Sequence, residues 1–245
     1  MPALPDLNGP LLFARYAFMP NRLGFCGGPN ERGLFEACVE AQSSPELRDW
    51  TKQFEGAYPY LALIARANGL RDPLDYGVVE AYWLGNELLE GVGVAAMYDS
   101  ILERFAPRLP SKILDLVLGK APAGAQPFHA FHVLDVCRRT GTLAESLETL
   151  DNCRISWGRV TSVDGDRLWV NAPPLVFENS KLTLGPDMIR PALRHIDGRG
   201  FVTDARPGDW VSLHWGWVCD RLTGRQVRNL RHYTLRHLAL ANQTL

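Results

Sequence analysis

Cysteine is scarce and unpatterned in this chain. Five occur, Cys26, Cys38, Cys137, Cys153 and Cys219, an odd number with no C-x-x-C pair. That argues against a disulfide framework and for reduced thiols in a cytoplasmic protein. Long apolar runs are also missing, since none approaches the ~20 residues that a membrane span needs. No basic segment followed by an apolar run opens the sequence, so no signal peptide is expected. Net charge is only -1 at pH 7, which gives no electrostatic reason to expect nucleic acid or a membrane as partner. Internal repeats and low-complexity tracts are absent as well.

What is present suffices for a sizeable core: 245 residues, 46% of them hydrophobic, enough for one large domain or two small ones. Residues 1–30 are broken by prolines and glycines and read as irregular, with room for a short helix at 11–18. In the loop Phe25-Cys26-Gly27-Gly28-Pro29-Asn30, two glycines leave backbone amides open beside a thiol. That arrangement suits a ligand site, or simply a turn carrying a small side chain. Asn30 can cap a helix starting near Glu31.

Helical signals then follow in series. Ser44-Pro45 is a cap and first-turn pair, and Leu47, Trp50 and Phe54 recur on one face. Further helices are expected over 58–67, 72–89, 94–105 and 111–118. The aromatics Tyr58, Tyr60, Tyr82 and Trp83 read as core. Glu55 and Glu80 form no acid/base dyad and are expected to be exposed. In Phe128-His129-Ala130-Phe131-His132 the two histidines are three apart. On a helix they share a face and could ligate a metal with Cys26 nearby, or they are buried histidines with ordinary hydrogen bonds.

Composition changes near 143–151, where valine, tryptophan and Asp-Gly turns replace leucine and alanine. The fold class is therefore α+β: an all-α domain, 1–148, then a small β-barrel with a C-terminal helix, 149–245. Strands are expected at 153–163, 167–171, 174–177, 181–184, 191–196 and 210–218. Asp164-Gly165-Asp166 is a hairpin turn, and several short strands punctuated by turns suggest a barrel. The alternating stretch from Gly208 to Val218 reads as one strand with His214 in its middle. Thr223 opens a helix to about Leu240. Arg221, Arg225 and Arg228 fall at four and three along it, as a solvated face or as a docking surface for an acidic protein.

Cys153, the turn segment Val160 to Asp166, the block Gly208 to Val218 and the helix after Asp220 together resemble the HypC/HupF family of [NiFe]-hydrogenase maturation chaperones. The resemblance covers the C-terminal domain. It implies an OB-like barrel in which Cys153 and His214 hold iron as Fe(CN)2CO, transiently. It also implies partners, a hydrogenase large-subunit precursor and a HypD-like maturation factor, and a non-enzymatic carrier role. Thiolate and imidazole suit a late first-row metal, and two protein ligands leave it releasable. In this chain the cysteine lies behind the helical part instead of at the mature N-terminus, and the stretch from Pro173 to Pro186 lengthens the gap to His214. Two other readings stand beside it. One is an enzyme using Cys26, His129 and His132 of the helical domain on a metal or small ligand. The other is an interaction protein of hydrogenase assembly that binds no metal.

Overall fold

Between Gly9 and Asn21 the only charged residue is Arg15, and a segment apolar all round belongs inside a fold. In the computed structural model, which describes residues 8–140 and 146–245, this segment is the central helix α1 (Gly9–Arg22). Asn8 caps it by accepting from the Leu11 amide at 3.2 Å, and Pro10 sits in the first turn, where its missing N–H costs nothing. Leu12, Phe13, Ala14, Tyr16 and Phe18 are fully buried. The short helix expected at 11–18 is thus a 14-residue helix, while 23–30 is irregular as expected and the first seven residues lie outside the described ones. Proline signals a break only in the middle of a helix, and here the two lie in the first and last turns.

The other helices of the first part are α2 (Glu31–Glu40), α3 (Pro45–Lys52), α4 (Tyr58–Ala67), α5 (Tyr76–Trp83), α6 (Val94–Phe105), α7 (Ser111–Leu118), α8 (His129–Phe131) and α9 (Arg138–Thr140). Ser44 caps α3 as its sequence requires. Asn30 does not cap α2 and gives its amide to Gln53 instead. The long helix expected over 72–89 is shortened, because Gly85 turns with φ +83° and starts a separate 3-10 turn at Glu87–Leu89. Between α8 and α9 the backbone widens into a π-helical stretch, His132–Cys137.

The second part begins with α10 (Leu147–Cys153), followed by β1 (Ser156–Asp164), β2 (Arg167–Ala172), β3 (Leu175–Glu178), β4 (Lys181–Leu184), β5 (Met188–Leu193), β6 (Trp210–His214), β7 (Trp217–Arg221) and α11 (Gly224–Ala241). Five strands close in the order β1-β2-β5-β7-β6, and β3-β4 form a separate hairpin. The Asp-Gly turn joins β1 to β2 as expected, pairing Asp164 with Arg167. The single strand expected over 210–218 is instead a hairpin. Trp215 and Gly216 both adopt positive φ, 52° and 69°, and His214 faces Trp217 across the ladder. A two-residue turn of this kind preserves the alternation on both sides, so period two alone does not reveal it.

The boundary expected at 148/149 falls within α10, and Cys153 is the last residue of that helix instead of the start of a strand. One buried cluster runs through both parts. Arg15 of α1 pairs with Asp220 of β7 at 2.8 Å, and the Tyr16 hydroxyl meets Ser212 of β6 at 2.9 Å. Thr223 caps α11 in a reciprocal box with Gln226. This helix packs on the N-terminal helices: Arg225 and Gln226 both reach Glu80 at 3.0 Å, and Tyr233 donates to the Asn86 carbonyl. Glu80, expected at the surface, is therefore buried and paired. The stretch 143–151, where composition changes, lies partly outside the described residues. Among the described residues, no helix is long and apolar enough to cross a membrane.

Candidate metal centre

The chain on either side of Cys153 is held by charge. Arg154 is fully buried, and its guanidinium bonds Asp151 through Nε at 2.9 Å and Nη2 at 2.7 Å, and the Pro173 carbonyl at 2.6 Å. Asp151 also accepts from Arg190 at 2.6 Å and from the Leu175 amide at 2.9 Å. The end of α10 is thereby fixed to β3 and β5, and with it the position of the thiol. Burial pushes the Cys153 thiol well above its usual range; the indole of Trp215 acts in the opposite direction and is outweighed.

His214 ends β6 beneath α1. Its Nδ1 donates to the Tyr16 carbonyl at 2.7 Å, while its Nε2 is buried with no hydrogen-bond partner among the described residues; the Cys153 backbone also acts on this ring. Burial lowers its pKa to about 4, so the ring is neutral at pH 7 and Nε2 carries a free lone pair. A ring held through one nitrogen by a carbonyl, with the other nitrogen open, is the state of a metal-ligating histidine.

His129 comes from the helical part. The Cys153 carbonyl can only accept, so His129 Nε2 donates to it at 2.9 Å. Its Nδ1 then accepts from the Tyr82 hydroxyl at 3.1 Å. This assignment of the tautomer follows from the network. Burial, reinforced by the neighbouring His214, holds this ring neutral too. The donor atoms of His129, Cys153 and His214 all lie within 4.8 Å of one another. In a tetrahedral centre with bonds of about 2.0–2.3 Å the donors stand roughly 3.5 Å apart, so a shared ion would draw them together. For His129 to bind through Nε2, its bond to the Cys153 carbonyl must break.

The site expected in the barrel and the one expected in the helical domain are one place. A cavity of about 340 Å³ is lined by Cys26, His129, His132, Cys137, Cys153 and His214 together. Cys26 stands on its exposed side, on a loop tied by Asn21, whose amide donates to the carbonyls of Cys26 and Gly28 at 2.7 Å each. Phe25 of that loop stacks on Trp215 with centroids 4.0 Å apart. His132 does not join the donor cluster. It lies over Gly56, where an added Cβ would come within 2.7 Å of its Nε2, and packs edge-on against Tyr60. Burial and the nearby Arg104 charge take its pKa to about 3. The spacing of three thus puts both histidines on the cavity wall, but only His129 against the thiol.

The arginines expected on one helical face are separated. Arg221 belongs to β7 and contacts Asp204 at 3.2 Å, Arg225 turns to Glu80, and Arg228 is exposed on α11. Several residues that shape the site went unread as such in the sequence: Tyr16, Tyr82, Asp151, Arg154 and Cys137. Tyr82 and Trp83 are core, as expected, and also line the cavity. The buried charge at Asp151 and Arg154 had a readable trace in their i, i+3 spacing just before the strand.

No curated protein and no solved structure matches the chain. A family model, described as a family of unknown function (DUF6390), matches residues 5–245. The chain therefore belongs to the DUF6390 family, along essentially its whole length.

Proposed function

We propose that this protein is a carrier of a transition-metal group, acting in [NiFe]-hydrogenase maturation as a HypC-like chaperone. The observation that carries the reading is the meeting of the Cys153 thiol with the open Nε2 of His214 at one buried place. Those are the two residues that the resemblance pairs. The cargo is iron as Fe(CN)2CO, taken from a HypD-like factor and delivered to the hydrogenase large-subunit precursor in the cytoplasm. The five-stranded closed sheet followed by α11 is, on this reading, a HypC-like barrel, with the β3-β4 hairpin as its insertion.

The chemistry fits a carrier. A soft thiolate suits a strong-field iron centre, and the neutral ring of His214 needs no deprotonation to bind. The Cys153 proton must leave on binding, so uptake is favoured at higher pH. The helical part covers the thiol and supplies His129, so it shields the cargo from water. Because Cys26, His129 and His132 line the same cavity, an enzymatic reading would use this site and not a second one.

The test is iron content together with the infrared bands of bound cyanide and carbon monoxide, on protein co-produced with the maturation machinery. Wild type should carry both signatures. Cys153→Ala should lose most of the iron, and His214→Ala should lose part of it while remaining folded. A wild-type protein without those bands, or a Cys153→Ala protein that keeps them, overturns the reading.

A further inference from the structure

The cavity is larger than its donor cluster needs. Its 340 Å³ compares with about 30 Å³ for one water in the liquid, so an ion and several small groups fit together. Residues of its lining carry polar atoms that have no hydrogen-bond partner among the described residues. Trp83 is 3% exposed and lines the cavity, and its indole Nε1 is buried with no acceptor among the described residues. Indole nitrogen only donates. The Trp83 ring stands 4.7 Å from that of His129 and 5.9 Å from that of His214, so it flanks the place where an ion would sit. His132 Nδ1, on the same wall, is also buried without a partner. A buried N–H left unpaired, as at Trp83, is uncommon and points to a missing acceptor.

The electrostatics favour a negative occupant. Behind the wall a cation stands close: Arg104 stacks over Tyr60 at 4.1 Å, and Tyr60 packs against His132 with centroids 5.7 Å apart. Among the described residues of the lining the only carboxylate is Glu55, which is 77% exposed and turned to Arg108.

We infer that the cavity receives a small anionic ligand borne by the bound metal, a linear hydrogen-bond acceptor of the cyanide or azide class, held by the Trp83 indole N–H with His132 as a second polar contact. This rests on the metal reading above and extends it: Cys153 and His214 hold the ion, and the helical part recognises what the ion carries. Trp83 is then a specificity-determining residue, since a neutral ligand without an acceptor gains nothing from it.

The test uses the full-length protein loaded with Co²⁺, whose thiolate-to-metal absorption reports the site, and azide as the probe. Wild type should bind Co²⁺ through Cys153 and then azide. Trp83→Phe keeps an aromatic ring in the stack; it should hold Co²⁺ as wild type does but bind azide about tenfold more weakly, the loss expected for one hydrogen bond to a charged group. Tyr60→Phe is the control, because Tyr60 also has a buried unpartnered hydroxyl but does not line the cavity; its azide affinity should be unchanged. Thermal melting of each variant confirms folding. If Trp83→Phe binds Co²⁺ and azide like wild type, or if Tyr60→Phe weakens azide equally, the inference fails alone. If wild type takes up no Co²⁺, the metal reading fails and the inference falls with it.

Discussion

Replacing Asp151 by alanine should cost about 4 kcal/mol of folding stability. The guanidinium of Arg154 has no exposed surface, and among the described residues it keeps only the Pro173 carbonyl without Asp151, its Nη1 having no partner there already. Removing one member of a buried ion pair costs about 3–5 kcal/mol, because the other charge stays uncompensated. The Leu175 amide loses its acceptor, worth about 1 kcal/mol. The pairing with the half-buried Arg190 adds less than about 1 kcal/mol. A loss of this size is a large share of the ~5–15 kcal/mol by which domains are stable. Asp151→Asn keeps shape and an acceptor and should fall between the two. Replacing both partners, Asp151→Leu with Arg154→Met, removes the stranded charge and should recover most of the loss. Urea unfolding followed by tryptophan fluorescence measures all four proteins. A loss below about 1 kcal/mol in Asp151→Ala, or a double variant no better than the single one, would refute the reasoning. Since Asp151 and Arg154 flank Cys153, Asp151→Ala should also weaken Co²⁺ binding under conditions where it is folded.

Acid should destabilise the fold through its buried histidines. His237 donates from Nδ1 to the Tyr233 carbonyl and accepts the Gln126 amide at Nε2, so the neutral ring is satisfied and burial lowers its pKa to about 4. Its folded pKa lies below the unfolded value of about 6.5, so its contribution is complete above pH ~6.5 and lost as pH falls through about 4, amounting to about 3 kcal/mol. The stability gap between wild type and His237→Gln should therefore narrow from pH 7 to pH 4.5 in urea titrations; a constant gap contradicts this. Gly85→Ala should lower stability by at least ~2 kcal/mol, because φ is +83° and the new Cβ would lie 2.1 Å from the Tyr233 ring; calorimetry would show it. Co²⁺ uptake at pH 7 should release about one proton per ion from Cys153, whose thiol burial keeps protonated. A pH indicator in weak buffer reads this, and no release with Cys153→Ala is the matching control.

Local chemistry carried much of the architecture in the sequence. Ser44-Pro45 and Thr223 with Gln226 mark helix starts because a side chain three residues from an amide can satisfy it wherever the helix lies. Val94–Phe105 and Ser111–Leu118 were readable to the residue, because their apolar spacing and bounding prolines are complete within the segment. The Asp-Gly turn and the strands around it were readable for the same reason, whereas Cys153 and His214 stood as a pair only through the resemblance. Other features depended on partners distant in the chain. Prolines suggested an irregular N-terminus with only a short helix, yet α1 is central because β6, β7 and α5 cover it. Glu80 is a lone carboxylate in its helix and becomes buried only because Arg225 and Gln226 arrive 145 and 146 positions later. The Trp215-Gly216 turn was hidden by an alternation that continues through it. His129 belongs to the donor cluster because the helical part folds over the end of α10, and a spacing of three between His129 and His132 cannot tell which ring will meet a thiol at position 153. Caps, turns and periodicity are set by neighbours along the chain, so the sequence determined them; the convergence of His129, Cys153 and His214 is set by packing between segments, and only the tertiary structure decided it.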